Sequence, residues 1–384
     1  MKIKVLILHT SVGHGIKITA LNIAEELKKS QIYDPVILDF EELESGPMFT
    51  AGKKTYSVIL EHISGLWGFL YNSKIVIGCL LPFREIFFSI KSQKLLAVLR
   101  KLQPAIIIST ETIPSAVVSH LKSKKLYVGK LVVAFSDYHL HRFWLYGGTD
   151  LYLCNIAKQA EELRELGIPY SKIAVTGAMV SEKFLRPSQK EEALRQLNLL
   201  TTMPMVLLTS GALVRMQTKE IFLRLLRSQK SFQVVVVCGT NQRLKEELEK
   251  ISPPSNHPVK ILGYVNNMEI LMSAASVLLG KTGGPTMVEA IVKKLPIIIT
   301  DARPGHETKN LEFLLENGVV EFARNKAEAA FITEQILSGK KYNFEKAYEA
   351  IVKPKSSINL EQALSVVTPQ EAEIQVKNYQ ETLA

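Results

Sequence analysis

Short runs of Ile, Val and Leu recur along this chain, and within each run the apolar residues occupy consecutive positions. A strand with one face in water alternates apolar with polar residues, so continuous runs are typical of parallel strands covered on both faces. Ten runs are predicted as strands: Ile3–Leu8, Val36–Phe40, Ala105–Ser109, Lys130–Phe135, Leu151–Cys154, Val206–Thr209, Val234–Cys238, Lys260–Leu262, Val277–Leu279 and Ile297–Thr300. Helical patterns separate them, which constrains the chain to β-α alternation.

The ten strands fall into two groups of five, and each group with its helices predicts one doubly wound domain of the Rossmann-like α/β class. The division is expected between residues 177 and 202, a stretch that holds Pro187 and a charged helix. We therefore expect a first domain over residues 1–180, a second over residues 181–350 and a polar helical tail over residues 351–384. Ligands of such folds bind outside the carboxyl ends of the strands, so a site is expected in the segments that follow them.

The cysteines and the amino terminus exclude several classes of protein. Cys79, Cys154 and Cys238 are far apart and form no C-x-x-C pair, which excludes a disulfide framework and a thiolate zinc site and indicates a reducing cytosol. The first apolar run is too short for the core of a signal peptide, so we interpret it as a buried strand.

The basic excess of the chain is concentrated in one stretch. The formal net charge is +10, and residues 45–130 hold twelve Lys and Arg against three Glu, a net +9. The most apolar part of the chain, residues 57–90, lies in the same stretch, but charged residues interrupt it too often for a spanning helix. Five apolar residues there share one helical face: Ile59, Ile63, Leu66, Trp67 and Leu70. We interpret the stretch as a surface that docks on an anionic membrane, with nucleic acid disfavoured because no nucleic-acid-binding motif is present.

The first strand leads directly into a glycine-flanked histidine. Gly13, His14 and Gly15 precede an amphipathic helix, but Ile18 occupies the third glycine position, so the dinucleotide-binding fingerprint fails. At a helix start the dipole disfavours a charged imidazolium, and a neutral imidazole can accept a proton. His14 is therefore a candidate general base; the alternative is that it only caps a turn.

A second polar cluster follows the strand Lys130–Phe135. Asp137, His139, His141 and Trp144 lie within nine residues. The two histidines alternate as strand ligands of a metal would, but the segment lacks a third ligand, so a metal site is not predicted. The alternative to a functional cluster is an ordinary solvated loop.

The most specific segment follows the strand Val277–Leu279. Gly283 and Gly284 turn the chain, and a helix is predicted to begin near Pro285 or Thr286. The amides at a helix start form an anion seat suited to a diphosphate, although the Walker pattern is absent. Glu289, one turn in, can bind a ribose diol; the alternative is an acid stabilised by the helix dipole. The loop after the next strand adds three polar groups to the same edge: His306, Glu307 and Asn310.

Taken together, six segments resemble glycosyltransferase family 28, and within it the branch of monogalactosyldiacylglycerol synthases and processive diacylglycerol glucosyltransferases. The resemblance covers about residues 3–340. The matching segments are Gly13-His14, Asp137-Tyr-x-x-His141-x-x-Trp144, Thr176-Gly177 with Phe184, Gly263-Tyr-x-x-x-Met268, Lys281-Thr-Gly-Gly-Pro-Thr286-x-x-Glu289-Ala290 and Pro304-Gly-His-Glu-x-x-Asn310. Six matches in the same order are specific, whereas any single one is not.

The resemblance implies a GT-B fold, in which two Rossmann-like domains face each other across a cleft and the final helix returns to the first domain. It further implies an inverting, metal-independent transfer of a hexose from a UDP-sugar to diacylglycerol, with no cofactor beyond the donor substrate. The implied protein is peripheral, on the cytoplasmic face of the cell membrane. By this resemblance the catalytic pair is His14 and Asp137. The implied acceptor contacts are Gly13, His141 and Trp144, and the implied donor contacts are Gly283, Gly284, Thr286, Glu289, His306, Glu307 and Asn310.

Three departures leave alternatives open. The family usually has Gln where His306 stands, so the resemblance does not decide between glucose and galactose. The Val-Gly-His-Gly turn holds fewer glycines than in many members, and residues 209–213 replace a richer glycine loop. The alternatives are a related transferase with another lipid-linked acceptor, a nucleotide-sugar epimerase, or a UDP-sugar-binding protein without catalysis.

Overall fold

The computed structural model describes residues 2–11, 14–43, 92–210, 215–302 and 306–368. The predicted membrane stripe between Ile59 and Leu70, together with Cys79 and Gly13, therefore lies outside the described residues. The chain divides into two compact units. The first comprises residues 1–179 and 350–384, and the second comprises residues 180–349.

The first unit is built on a six-stranded parallel sheet with the strand order β2-β1-β3-β4-β5-β6. Its strands are β1 (Ile3–His9), β2 (Tyr33–Asp39), β3 (Ile106–Ser109), β4 (Lys130–Ala134), β5 (Leu151–Cys154) and β6 (Ile173–Val175). Its first helices are α1 (His14–Lys29), α2 (residues 92–102), α3 (Thr112–Ser123) and α4 (Ala157–Glu165). Pro35 lies within β2, where the missing N–H is tolerated because β2 is an edge strand.

Both faces of this sheet are covered, which explains the continuous apolar runs. Successive side chains of a strand point to opposite faces. In β1, Val5 and Ile7 belong to the core that includes Ala20, Ile23 and Leu27 of α1. The intervening side chains of Leu6 and Leu8 belong to a second core on the opposite face.

The second unit repeats the architecture, with a parallel sheet in the order β12-β11-β10-β7-β8-β9. Its strands are β7 (Met205–Thr209), β8 (Gln233–Val237), β9 (Val259–Leu262), β10 (Val277–Lys281), β11 (Ile297–Asp301) and β12 (Val320–Phe322). Its helices are α5 (Glu182–Leu185), α6 (Lys190–Gln196), α7 (Arg215–Leu225), α8 (Gln242–Glu249), α9 (Met268–Ala274), α10 (Gly284–Val292), α11 (His306–Glu316), α12 (Lys326–Leu337) and α13 (Phe344–Ala347).

The predicted fold class is confirmed, and all ten predicted strands are present. Two further strands, β6 and β12, were not predicted. Each has three residues and lies at an edge of its sheet, so its apolar signal is too short to read from sequence. Both strand orders reverse once, between β1 and β3 in the first sheet and between β7 and β10 in the second. Ligands of doubly wound sheets bind beside such reversal points, at the carboxyl ends of the strands.

The chain after residue 349 belongs to the first unit. Its last described helix, α14 (Leu360–Ser365), contributes Leu360, Ala363 and Leu364 to the same core as α1. Gly177 allows the approach of this segment, because its φ is +76° and a Cβ there would lie 2.2 Å from the Val352 carbonyl oxygen. Among the described residues, no helix has both the length and the apolar character needed to cross a bilayer.

Candidate functional site

The end of β10 is fixed by two threonines from the neighbouring strands. The Thr209 hydroxyl donates to the Leu279 carbonyl oxygen at 3.1 Å, and the Thr300 hydroxyl donates to the Gly280 carbonyl oxygen at 3.3 Å. A Cβ at Gly280 would lie 2.4 Å from the Thr209 hydroxyl oxygen, so only glycine fits there without a shift. The pairing of β10 with β11 then changes register after Gly280, which sets the direction of the loop that follows.

That loop, Lys281 to Gly284, is anchored by the first turns of α11. The Lys281 Nζ lies 3.0 Å from a carboxylate oxygen of the buried Glu307. The Thr282 hydroxyl donates to the Glu307 carbonyl oxygen at 3.1 Å, and the Asn310 amide donates to the Thr282 carbonyl oxygen at 3.4 Å. Thr282 and Asn310 are fully buried. Glu307 and Asn310 thus have a supporting role that the sequence did not reveal, and their predicted contacts with a sugar stay a prediction.

The loop ends at the N-terminus of α10, where the N-cap residue is a glycine. Gly283 is the N-cap of α10, with φ −72° and ψ 123°, and its position carries no capping side chain. Pro285 has no amide proton, and the first hydrogen bond into the helix runs from the Met287 amide to the Gly283 carbonyl oxygen at 3.1 Å. A Cβ built on Gly283 would meet its nearest atom, the Thr286 hydroxyl oxygen, only at 3.9 Å. The backbone can therefore be approached closely, at the positive end of the helix dipole.

Glu289 lies farther along α10 and is 9 % exposed. Burial raises the pKa of its carboxyl group to about 8; the negative charge of Glu269 adds to the shift, and the positive charge of Lys183 opposes it. The Lys183 Nζ is 3.1 Å from a Glu269 carboxylate oxygen and donates to the Asn266 carbonyl oxygen at 3.2 Å. Lys183 and Glu269 were not predicted as site residues, because they precede Glu289 in the chain by 106 and 20 residues.

In the first unit, the end of β1 and the start of α1 are tied together by Thr110. Its amide donates to the Leu8 carbonyl oxygen at 3.0 Å, and its hydroxyl donates to the Ile16 carbonyl oxygen at 3.2 Å. His14 is the first residue of α1, as the sequence indicated. The candidate base therefore lies at the reversal point of the first sheet, beside the carboxyl end of β3.

The segment Ser136–Trp144 follows β4, and two buried amide side chains hold it. The Asn155 amide donates to the Phe135 and Asp137 carbonyl oxygens at 2.9 and 3.1 Å. The Gln159 side-chain amide donates to the Asp137 and His139 carbonyl oxygens at 2.9 and 3.2 Å. The side-chain oxygen of Gln159 accepts from the backbone N–H of Asn155. Neither residue was predicted. A fully buried Gln in the first turn of α4 is the signal that points to such a support.

Trp144 has a packing contact as well as its predicted contact with an acceptor. Its ring meets Phe135 edge-on, with the centroids 5.3 Å apart, and Phe135 stacks on Tyr152 at 6.1 Å. Trp144 remains half-buried. The aromatic stack fixes the far end of the segment that carries Asp137 and His141.

The predicted residues thus follow the carboxyl ends of strands in the two sheets, one group in each unit. His14, Asp137, His141 and Trp144 follow β1 and β4 of the first unit, and the donor candidates follow β10 and β11 of the second. His306 is the first residue of α11. Within the described ranges, no three His, Cys, Asp or Glu side chains are placed so that they could hold a metal ion.

The two halves of the chain each match a known family. Residues 14–180 match the monogalactosyldiacylglycerol (MGDG) synthase family, and residues 209–361 match the glycosyltransferase family 28 C-terminal domain. A curated relative, the processive diacylglycerol beta-glucosyltransferase of Bacillus cytotoxicus, is 25% identical over 370 residues, which cover 93% of this chain and 92% of the relative.

Solved structures with this fold cover all or nearly all of the chain. The UDP co-structure of MnaA from S. aureus superposes with a TM-score of 0.58 at 12% identity, covering 100% of this chain and 97% of that one. The crystal structure of MurG from Acinetobacter baumannii gives a TM-score of 0.56 at 12% identity, covering 96% of this chain and 98% of that one. At these identities the similarity shows a shared fold, and that fold is GT-B.

Proposed function

The chain belongs to glycosyltransferase family 28, in the branch of the MGDG synthases, and on that premise we propose that it transfers a hexose from a UDP-sugar to diacylglycerol. The acceptor is taken from the relative named as a processive diacylglycerol beta-glucosyltransferase. The donor is taken from the structural neighbour that was solved with UDP.

The start of α10 is the observation that carries the proposal. Its N-terminus, which has the open Gly283 as its N-cap, suits the diphosphate of a nucleotide sugar. Glu289 supplies the carboxylate for the ribose hydroxyls, and ionised acceptors make the stronger hydrogen bonds to such donors. Thr286, His306, Glu307 and Asn310 complete the proposed donor contacts.

The chemical step assigned to the first unit is a single displacement. The glycerol hydroxyl oxygen bonds to C1 of the sugar while the bond from C1 to the diphosphate oxygen breaks, so the anomeric configuration inverts. His14 accepts the hydroxyl proton, and the dipole of α10 stabilises the charge that develops on the departing UDP. Asp137 lies in the segment held by Asn155 and Gln159, and it assists at the acceptor hydroxyl. Gly13, His141 and Trp144 are the proposed contacts of the glycerolipid.

This mechanism uses no metal ion, since the dipole and the amides take over the role of stabilising the leaving diphosphate. The proposed location follows from the acceptor: diacylglycerol is confined to the bilayer, so the protein works peripherally at the cytoplasmic face of an anionic membrane. The basic excess of residues 45–130 supports this placement, because each cationic side chain near an anionic leaflet contributes about 1 kcal/mol.

The test is a transfer assay with two donors. The protein is incubated with radiolabelled UDP-glucose or UDP-galactose and vesicles that contain diacylglycerol, and the organic phase is counted. We expect label in a glycolipid from at least one donor and none when diacylglycerol is omitted. UDP binding without labelled lipid from either donor would contradict the proposal and favour a sugar-nucleotide-binding protein. Transfer to a different lipid-linked acceptor would keep the reaction class but replace the acceptor.

A further inference from the structure

The positive charge of Lys183 acts on two acidic side chains that lie on different helices. It lies on α5, the first helix of the second unit, which packs against α10. Its ammonium group is 3.1 Å from Glu269 of α9, and it donates to the Asn266 carbonyl oxygen at 3.2 Å. Its charge also acts on Glu289 of α10. One cation therefore serves two carboxyl groups.

Because Glu289 is buried, its charged form needs stabilisation by a nearby positive charge. Moving a carboxylate out of water strongly disfavours its charged form, and a neighbouring negative charge adds to that cost. Both conditions hold here, because Glu289 is buried and Glu269 is near enough to raise its pKa. A carboxyl group that must accept two ribose hydroxyl hydrogen bonds has to be ionised, since a protonated carboxyl loses part of its acceptor capacity.

We propose that Lys183 is a positioning residue of the donor site: it neutralises Glu269 and thereby allows Glu289 to bind the ribose of the nucleotide in its charged form. This inference rests on the proposed function, because it assumes that Glu289 contacts the ribose. Helix α5, which carries Lys183, would then influence the affinity for the nucleotide.

Besides Glu289, the charged residues of α5, α9 and α10 and of their C-cap positions are Glu182, Lys183, Arg186, Glu269 and Lys293. Lys293 donates to the Arg186 carbonyl oxygen at 3.0 Å. Burial lowers the pKa of the Lys293 ammonium group, and the negative charge of Glu269 offsets part of that shift. Lys183 and Glu269 are the two whose charges act on the pKa of Glu289, and they act in opposite directions.

Because Lys183 and Glu269 shift the pKa of Glu289 in opposite directions, removing each charge should change UDP binding in opposite directions. UDP binding to the full chain is measured by calorimetry between pH 7 and pH 9.5, above the second ionisation of a phosphate group at about pH 6. Wild-type affinity is expected to increase with pH as Glu289 ionises, with a midpoint near its pKa of about 8. Lys183→Met removes the cation and moves the midpoint upward. Glu269→Gln removes the repelling charge and moves the midpoint downward.

The expected change in UDP affinity follows from the pH midpoint of Glu289 ionisation. Below it, affinity follows the ionised fraction, so a shift of one pH unit changes the dissociation constant about tenfold. At pH 7 we expect UDP binding to be roughly threefold to tenfold weaker in Lys183→Met, and stronger than wild type in Glu269→Gln. Lys183→Arg retains the charge and should restore a profile close to wild type. Lys183 is 42% exposed in its side chain, so these variants are expected to fold.

Two controls separate the possible failures. Lys190→Met removes a lysine of the same unit whose Nζ donates to the Ser276 hydroxyl, and it should leave the midpoint in place. Glu289→Gln should weaken binding and abolish the pH dependence. If Glu289→Gln does so but Lys183→Met binds as wild type at every pH, the role of Lys183 is refuted. If Glu289→Gln binds UDP as wild type, the proposed function of Glu289 fails instead.

Discussion

Two loops of this molecule are each held by side chains that follow the neighbouring strand, but the supporting groups differ in charge. The segment Ser136–Trp144 follows β4 and is held by side chains that come after the neighbouring strand β5. The loop Lys281 to Gly284 follows β10 and is held by side chains that come after the neighbouring strand β11. In the first case the supports are the neutral amides of Asn155 and Gln159. In the second they include the ion pair of Lys281 with Glu307.

The difference matches the charges of the ligands proposed for the two loops. A neutral amide network satisfies buried carbonyl groups without adding charge, which suits the proposed contact of this segment with a lipid alcohol. The ion pair leaves the cation half-exposed next to a helix start, because Lys281 is 36% exposed in its side chain while Glu307 is buried. That arrangement suits an anionic diphosphate. Substitutions in each unit can test whether the first unit carries the chemical step and the second carries nucleotide binding.

The largest effect is expected at His14. His14→Ala removes the proposed proton acceptor, and general base catalysis supplies roughly 10²–10⁴-fold in rate. We expect turnover in the transfer assay to decrease by about that factor while calorimetry gives wild-type UDP affinity. Unchanged turnover would remove His14 from the mechanism, and a matching loss of UDP affinity would place it in the donor site.

The complementary change in the second unit is Glu289→Ala. Hydrogen bonds to a charged group contribute about 1.5–3 kcal/mol, so UDP binding should weaken roughly ten- to hundredfold. Glu312→Ala, at an exposed acid that pairs with Lys309, is the matched control and should bind UDP normally. Equal affinities for the two variants would show that Glu289 does not contact the nucleotide.

The support of the first loop can be tested through Gln159. Gln159→Leu leaves the Asp137 and His139 carbonyl oxygens without this donor, and an unsatisfied buried polar group costs about 1–3 kcal/mol. We expect the free energy of unfolding to fall by that amount in urea titrations. Gln196→Leu, at an exposed glutamine bonded to Glu192, should change it by less than about 0.5 kcal/mol. Similar values for both would mean that the amide network does not hold the segment.

The last comparison is between Gly280, within β10, and Gly283, in the turn that follows it. Gly280→Ala forces a Cβ towards the Thr209 hydroxyl and should destabilise the fold by about 1–3 kcal/mol. Thr209→Ala in the same chain should relieve part of that loss. Gly283→Ala meets no close atom and should cost only a few tenths of a kcal/mol to about 1 kcal/mol, while it weakens UDP binding. If Gly283→Ala is the more destabilising of the two, the open approach to α10 is wrong.

Much of the fold could be predicted because it depends on local patterns. Runs of consecutive apolar residues predicted ten strands, and all ten are present in the structure. The glycine pair before Pro285 predicted the start of α10 to within two residues. The edge strands β6 and β12 escaped detection because three residues at a sheet edge carry too little apolar signal. The supports Asn155, Gln159 and Lys183 also escaped detection, since each acts on a residue that is near only in the folded chain.

The sequence by itself determined the class of the protein: two doubly wound domains, a helix start suited to an anion, and the order of motifs that identifies the family. These features depend on neighbouring residues, whose chemistry is visible in the chain. Only the tertiary structure decided how the site residues are supported and charged. Whether Glu289 is ionised depends on burial and on Glu269 and Lys183, and these conditions exist only when distant helices pack together.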